Sequence, residues 1–232
     1  MRFPVVFSLA GLLLCTSGAW LGGVGWLAVW VGVAFLWLAV VYGLDRPQWL
    51  GKSAEGRMRP LTVALFFPYF GFTWTMWHLF HGITSEPACH EVAPGLWLGR
   101  RPIRVTLDPR VSLIVDCTGE FPAARRAGCT YALAPALDAR APAPPDLDRV
   151  VALAATWDGA VYVHCAAGHG RSALVAALVV LRRGLATDLN AAEQLLRSRR
   201  PAVRLHTPQR RAGEAALTRL RDGASAQAVL NG

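Results

Sequence analysis

His164-Cys165-Ala166-Ala167-Gly168-His169-Gly170-Arg171-Ser172 gathers a nucleophile, a small-residue loop and a cation into nine residues. Just before it, Val161-Tyr162-Val163 is an apolar β-forming run, and just after it Ala173 to Leu181 is an apolar helix-forming run. The stretch therefore joins the end of a strand to the start of a helix. Backbone N–H groups of a tight glycine-containing loop, followed by the positive end of a helix, bind a phosphate-like group without any side chain. On this reading Ala166, Ala167, Gly168, His169 and Gly170 surround an anion.

Five residues separate Cys165 from Arg171. In a loop wrapped around one anion, that interval lets the sulfur sit beneath the anion while the guanidinium forks two of its oxygens. The same cation and amides favour thiolate over thiol. A cysteine so placed is ionised near neutral pH and ready to attack phosphorus. Ser172 is placed to donate to the sulfur when it must leave, and His164 to fix the loop by hydrogen bonds. His169 reads as a solvent-facing loop residue that would add positive charge toward a polyanionic headgroup when protonated.

The pattern of His-Cys, five residues, Arg and Ser resembles the signature of the cysteine-dependent protein tyrosine and dual-specificity phosphatases, and every fixed position of that signature is met. The resemblance implies that Cys165 is the nucleophile forming a phosphocysteine, Arg171 the phosphate clamp and Ser172 the helper in thiolate departure. It covers about residues 91 to 221, including Leu96-Trp97-Leu98-Gly99 near its start and Arg200-Pro201 in a helix-ending turn. It further implies an aspartic acid on a mobile loop, roughly thirty residues before the cysteine, that protonates the leaving oxygen. Asp138, in Ala134-Pro135-Ala136-Leu137-Asp138, stands 27 residues before Cys165 and ahead of the Pro-rich 141–145 loop, and is the residue chosen. Asp116 reads instead as a local hydrogen-bonding group, and Asp146 and Asp148 as helix-start residues. No metal or other cofactor is called for.

Composition divides the chain. Of 232 residues 53% are hydrophobic and the mean hydropathy is +0.33, too apolar for an ordinary soluble enzyme. Seven of the nine tryptophans fall between Trp20 and Trp77, whereas 19 of the 24 basic residues follow residue 84. Phe3 to Gly23 and Val24 to Leu44 are each about a bilayer's worth of uncharged apolar residues and read as two membrane helices in a tight hairpin. A cleaved secretory signal is the rival reading of the first segment. Asp45 to Pro60 is a polar connector, and Leu61 to Phe80, interrupted by Pro68 and Gly71, reads as a kinked third span in preference to an interfacial helix. His78 and His81 lie three apart and read as interfacial aromatics, not as metal ligands. Arg2 and the cations of the connector place both on the cytoplasmic side, which with three spans puts the catalytic half outside. A catalytic thiol favours the reducing side instead, so the membrane face of the active site is left open.

From Glu86 onward strands and helices alternate: a hairpin over Val92 to Gly99, strands at Val111 to Asp116 and Thr130 to Ala134, a helix over Asp146 to Trp157, then the Cys165 strand, loop and helix, and closing helices over Thr187 to Arg200 and Thr207 to Asp222. The expected fold class is α/β, a central mostly parallel sheet flanked by helices in the dual-specificity phosphatase manner, preceded by an all-α transmembrane region. The expected division is a membrane region over 1–84, a phosphatase-like domain over 85–223 and a frayed tail over 224–232. The function expected is that of a membrane-anchored phosphatase acting on a phosphorylated lipid or a phosphoprotein, integral and multi-pass in a membrane of the bacterial inner type. A catalytically inactive phosphate-binding membrane module is the alternative. The net charge of +9 and pI ≈ 10.2 come from arginine pairs spread over several elements, which points to an anionic lipid surface and away from nucleic acid. Five cysteines without CxxC spacing suit free thiols.

Overall fold

The computed structural model describes residues 3–103 and 107–230. Arg2, used above in the topology reading, and residues 231–232 of the tail lie outside them. The chain forms two compact units, one made of the chain through Ser85 with Gly119–Pro122, the other of Glu86–Thr118 and the chain from Ala123 onward.

In the first unit α1 (Phe3–Leu21) and α2 (Trp26–Gly43) are joined by a tight turn at Gly23–Gly25. Both are long and apolar enough to cross a bilayer by length and composition. They approach closely because glycines line their seam: a Cβ on Gly18 would lie 2.5 Å from the Gly25 carbonyl oxygen. The run from Leu61 to Phe80, expected to be interrupted at Pro68, forms two helices, α3 (Pro60–Leu65) and α4 (Phe67–Ile83). The break falls at Phe66 because Pro68 has no N–H and its ring excludes the preceding turn, so it is accommodated only in the first turn of a new helix. At 17 residues α4 is shorter than α1 and α2, and those two are the candidate spans among the described residues. The Trp37 indole of α2 stacks flat on Phe66, ring centroids 3.8 Å apart. His78 and His81 both pack on Trp77.

The second unit is a five-stranded sheet in the order β1 (Cys89–Ala93), β2 (Leu96–Arg100), β5 (Ala160–Cys165), β3 (Val111–Thr118), β4 (Thr130–Ala136). Only the β1–β2 hairpin is antiparallel. β5 is buried at every residue, as befits the central strand of a parallel sheet, so its sequence shows an apolar run and no alternation. Alternation reappears in where the side chains go. Val161, Val163 and Cys165 join Leu96, Leu98, Leu113, Val115, Cys117, Ala132 and Ala134 in one core under α5 (Pro144–Ala155), α6 (Arg171–Arg182), α7 (Leu189–Arg199) and α8 (Thr207–Leu230). Each buried Val or Leu there contributes about 1.5–3 kcal/mol. Tyr162 points the other way, into a smaller cluster with Leu107, Val111, Ile114 and Ala160. α6 is buried along its first ten residues, from Arg171 to Val180, which ties the loop before it to the centre of the core.

Two helix ends show local sequence at work. Asp188 caps α7, its Oδ1 accepting the Ala191 amide at 2.9 Å. α8 continues to Leu230, into the 224–232 stretch expected to be a frayed tail, because Ala224, Ala226 and Ala228 favour helix.

Candidate active site

Cys165 ends the central strand and Arg171 opens α6, so the loop between them lies at the carboxyl edge of the parallel strands. The Cys165 side chain is buried and its Sγ accepts the Gly168 amide at 3.2 Å and the Ser172 hydroxyl at 3.3 Å. Burial alone pushes the thiol up. The Arg171 guanidinium, the Ser172 hydroxyl and the Ser172 and Gly168 amides outweigh it and leave the group below its ordinary 9.0.

The direction of the loop amides follows from where the carbonyls are held. Each of the five loop carbonyls has a donor outside the loop: Ala166 O accepts Arg101 N at 3.3 Å, His169 O accepts Arg204 N at 2.9 Å and Gly170 O accepts Leu174 N at 2.9 Å. Ala167 O and Gly168 O accept Arg200 Nη2 and Nε at 2.9 and 3.0 Å. With the carbonyls tied outward, the peptide N–H groups turn inward, toward the sulfur, as Gly168 N–H already does.

Arg171 is buried and donates through Nη1 to Ala136 O at 3.0 Å. Its Nη2 lies 3.5 Å from Asp138 Oδ1, on the loop after β4, where the carboxylate is 74% exposed. Of the aspartates weighed from sequence, the structure brings Asp138 to the guanidinium and engages the others elsewhere. Asp116 is fully buried and accepts Thr118 N, Thr118 Oγ1 and the Tyr131 hydroxyl at 2.8, 2.7 and 2.9 Å. Burial, then Asp116, holds the Tyr131 phenol far above its usual range, so it stays a donor. Asp146 pairs with Arg149 and Asp148 with Arg219.

His164 is buried on the sheet face opposite the helices, its Nδ1 3.4 Å from Cys165 O and its Nε2 3.9 Å from Asp116 Oδ1. It thus touches the loop at its root. His169, expected to face solvent, is held instead by Glu86, Nε2 to Oε2 at 2.8 Å, with its side chain 33% exposed. Sequence reading missed Glu86 as a site residue, and it missed Gln209. The latter is fully buried against Gly170, donates to Arg140 O at 3.1 Å and accepts His206 N at 2.9 Å. Neither sits in a local motif that could have announced it. The free cysteines Cys89, Cys117 and Cys129 form no disulfide with Cys165.

Gly168 adopts φ +81 and presses on β2: a Cβ there would meet the Gly99 carbonyl oxygen at 2.5 Å and Arg100 N at 2.8 Å. The Leu96–Gly99 run of the sequence thus carries a physical requirement, since Gly99 itself has no room for a side chain between Ala88 O and the Tyr162 hydroxyl. Gly168→Ala is expected to cost about 2 kcal/mol or more through strain and backbone collision, read as a lower melting temperature of the full chain in detergent. Anion affinity is expected to fall with it, and an unchanged melt with unchanged tungstate binding would show that the loop does not press on β2.

No protein-family model matches the chain, and no curated protein does. Solved structures do. The second unit is similar to a mouse putative dual specificity phosphatase complexed with zinc tungstate (TM-score 0.52, 23% identity, 61% of this chain and 95% of that one). It is similar to PTPMT1 in complex with PI(5)P (TM-score 0.54, 19% identity, 60% and 99%) and to human DUSP28 (TM-score 0.51, 22% identity, 58% and 99%). The α/β unit of this chain therefore has the dual-specificity phosphatase fold.

Proposed function

We propose that the chain is a cysteine-dependent phosphomonoesterase working through a phosphocysteine at Cys165. The observation that carries this reading is the sulfur itself, buried, accepting the Gly168 amide and the Ser172 hydroxyl, and, against the opposing effect of burial, lowered from its ordinary pKa chiefly by the Arg171 guanidinium. A module that only binds phosphate needs the amides and the guanidinium but no ionised nucleophile. In the first step Sγ attacks phosphorus, the bond from phosphorus to the ester oxygen breaks, and Asp138 gives that oxygen a proton. In the second, water attacks the phosphocysteine with Asp138 taking its proton, and the thiolate departs with the Ser172 hydroxyl donating to it. The inward amides of Ala166 to Gly170 and Arg171 hold the three equatorial oxygens in both steps.

Membrane attachment through the α1–α2 hairpin sets the substrate class: an enzyme held at a bilayer meets lipid headgroups at high effective concentration. That the similarly folded PTPMT1 was crystallised with PI(5)P supports a phosphorylated lipid. Phosphate release from phosphoinositides and phosphatidylglycerophosphate in mixed micelles is expected to exceed release from phosphotyrosine or phosphoserine peptides. The opposite order would identify a protein phosphatase, and ligand binding without turnover would leave the inactive module.

Asp138→Asn is expected to lower kcat by about 10² to 10³-fold, the contribution of one positioned acid, and most for phosphates with poor, alkoxide leaving groups. The dependence on the leaving group checks the role. Loss of the acid should make kcat fall steeply as the leaving oxygen becomes more basic, where wild type changes little. A variant with the wild-type dependence would remove Asp138 from the mechanism.

A further inference from the structure

Resting on the phosphatase reading of the loop, we propose that Arg200 is a positioning residue: its guanidinium holds the Ala167 and Gly168 carbonyls outward from behind, so that the loop amides face the phosphate, and Glu86 holds the guanidinium in that orientation. Arg200 is fully buried, and all three of its nitrogens are engaged. Nε donates to Gly168 O at 3.0 Å and Nη2 to Ala167 O at 2.9 Å. Nη2 also lies 3.1 Å from Glu86 Oε2 and 3.3 Å from His169 Nε2, while Nη1 donates to Pro87 O at 2.9 Å and lies 3.2 Å from His90 Nδ1.

The sequence explains how the side chain comes to be there. Pro201 excludes the residue before it from the helical region, and Arg200 leaves α7 with φ −135 and ψ 88. The chain turns, and the next residues follow the loop closely enough for Arg204 N to take His169 O. Residues 200 to 204 thereby hold three of the five loop carbonyls. A side chain wanted only to fill this space would be apolar, because a buried charge costs more than it returns unless its hydrogen bonds do something else. Here two of those bonds fix adjacent peptides of the loop, and no other residue type spans two successive carbonyls and a carboxylate with one planar group.

The test uses the full chain in detergent and compares Arg200→Lys and Glu86→Gln with wild type. Three readouts are needed: thermal melting, the pH dependence of Cys165 alkylation by iodoacetamide followed by mass spectrometry of its peptide, and kcat and KM on p-nitrophenyl phosphate. Lysine keeps the charge and loses the fork. Folded Arg200→Lys is expected to reach half-maximal alkylation at a pH about one higher than wild type, a tenfold change in proton concentration. It should lose about 10²-fold in kcat, the effect of misplacing the reacting groups by a fraction of an ångström to one ångström, with KM changing much less. Wild-type alkylation and wild-type kcat in folded Arg200→Lys would overturn the proposal and leave Arg200 a filler of the core. Should Arg200→Lys not fold, Glu86→Gln decides: a change in the same direction, about three- to tenfold in kcat with the alkylation profile moved to higher pH, supports the assignment, and none overturns it. The alkylation profile needs no turnover, so loss of the phosphatase reading and loss of this one are separately visible.

Discussion

Cys165→Ser protein is expected to release no phosphate above background, a fall on the order of 10⁴-fold or more, while melting at the wild-type temperature and still binding tungstate. The reasoning starts from the state of the atom. Sγ is more acidic than an ordinary thiol because Arg171, the Ser172 hydroxyl and two amides together overcome its burial. A serine hydroxyl in the same cradle begins far higher on the pH scale than the thiol, and the groups that ease ionisation of Sγ cannot lower it far enough to make a nucleophile. The cradle itself survives, because the five loop carbonyls keep their donors and the serine oxygen can accept from Gly168 N–H as the sulfur does. A colorimetric phosphate assay, with circular dichroism melts and tungstate binding alongside, checks each part, and turnover retained by the serine variant would remove the nucleophile from the account.

Arg171→Lys is expected to lower kcat/KM by about 10³-fold, the upper range for removing a preorganised donor from a developing anion. The guanidinium has two tasks at once: Nη1 holds Ala136 O at 3.0 Å, while Nη2 lies 3.5 Å from Asp138 Oδ1. An ammonium can satisfy one of these directions and not both. The loss should appear in phosphate-analogue affinity and in kcat together, because the equatorial oxygens are held in ground and transition states alike. The Cys165 thiol should also titrate higher, since Arg171 is the largest of the influences that lower it. The variant's alkylation by iodoacetamide should therefore begin at higher pH than that of wild type, and an unshifted profile would mean that the cation is not what ionises the sulfur.

What the letters reveal about this molecule depends on how locally each feature is encoded. The strand, loop and helix around Cys165 are read directly, because the β-forming run, the glycines and the apolar helix are contiguous and their order fixes the carboxyl edge of the sheet. The β1–β2 hairpin is legible for the same reason, from Pro94-Gly95 between two apolar runs. Asp138 was reached through a family resemblance, and the structure brings it within 3.5 Å of Arg171. Arg200 and Glu86 were not legible as partners of the loop. They meet it through main-chain carbonyls and a histidine 31 to 83 positions away, and no residue pattern records which side chain will meet a distant carbonyl. Gln209 escaped for the same reason. From sequence the arginine pairs read as a basic surface, yet Arg183 donates to Ala154 O and Pro94 O, Arg200 to Ala167 O and Gly168 O and Arg126 to Asp108 O. Charge counting cannot tell a solvated guanidinium from one that ties a loop to a helix end. The interruption expected at Pro68 falls there, between α3 and α4, because proline is accommodated only in a helix's first turn, whereas Gly71 lies inside α4 without breaking it.

The most direct test is to trap the intermediate. Full-length protein in detergent, mixed with p-nitrophenyl phosphate and quenched in acid within the first turnovers, is digested and its peptides weighed. The account predicts one added phosphoryl group on the peptide containing Cys165, enriched in Asp138→Asn protein where hydrolysis of the intermediate is slowed. Turnover with that peptide unmodified, or with the phosphoryl group on another residue, would contradict it.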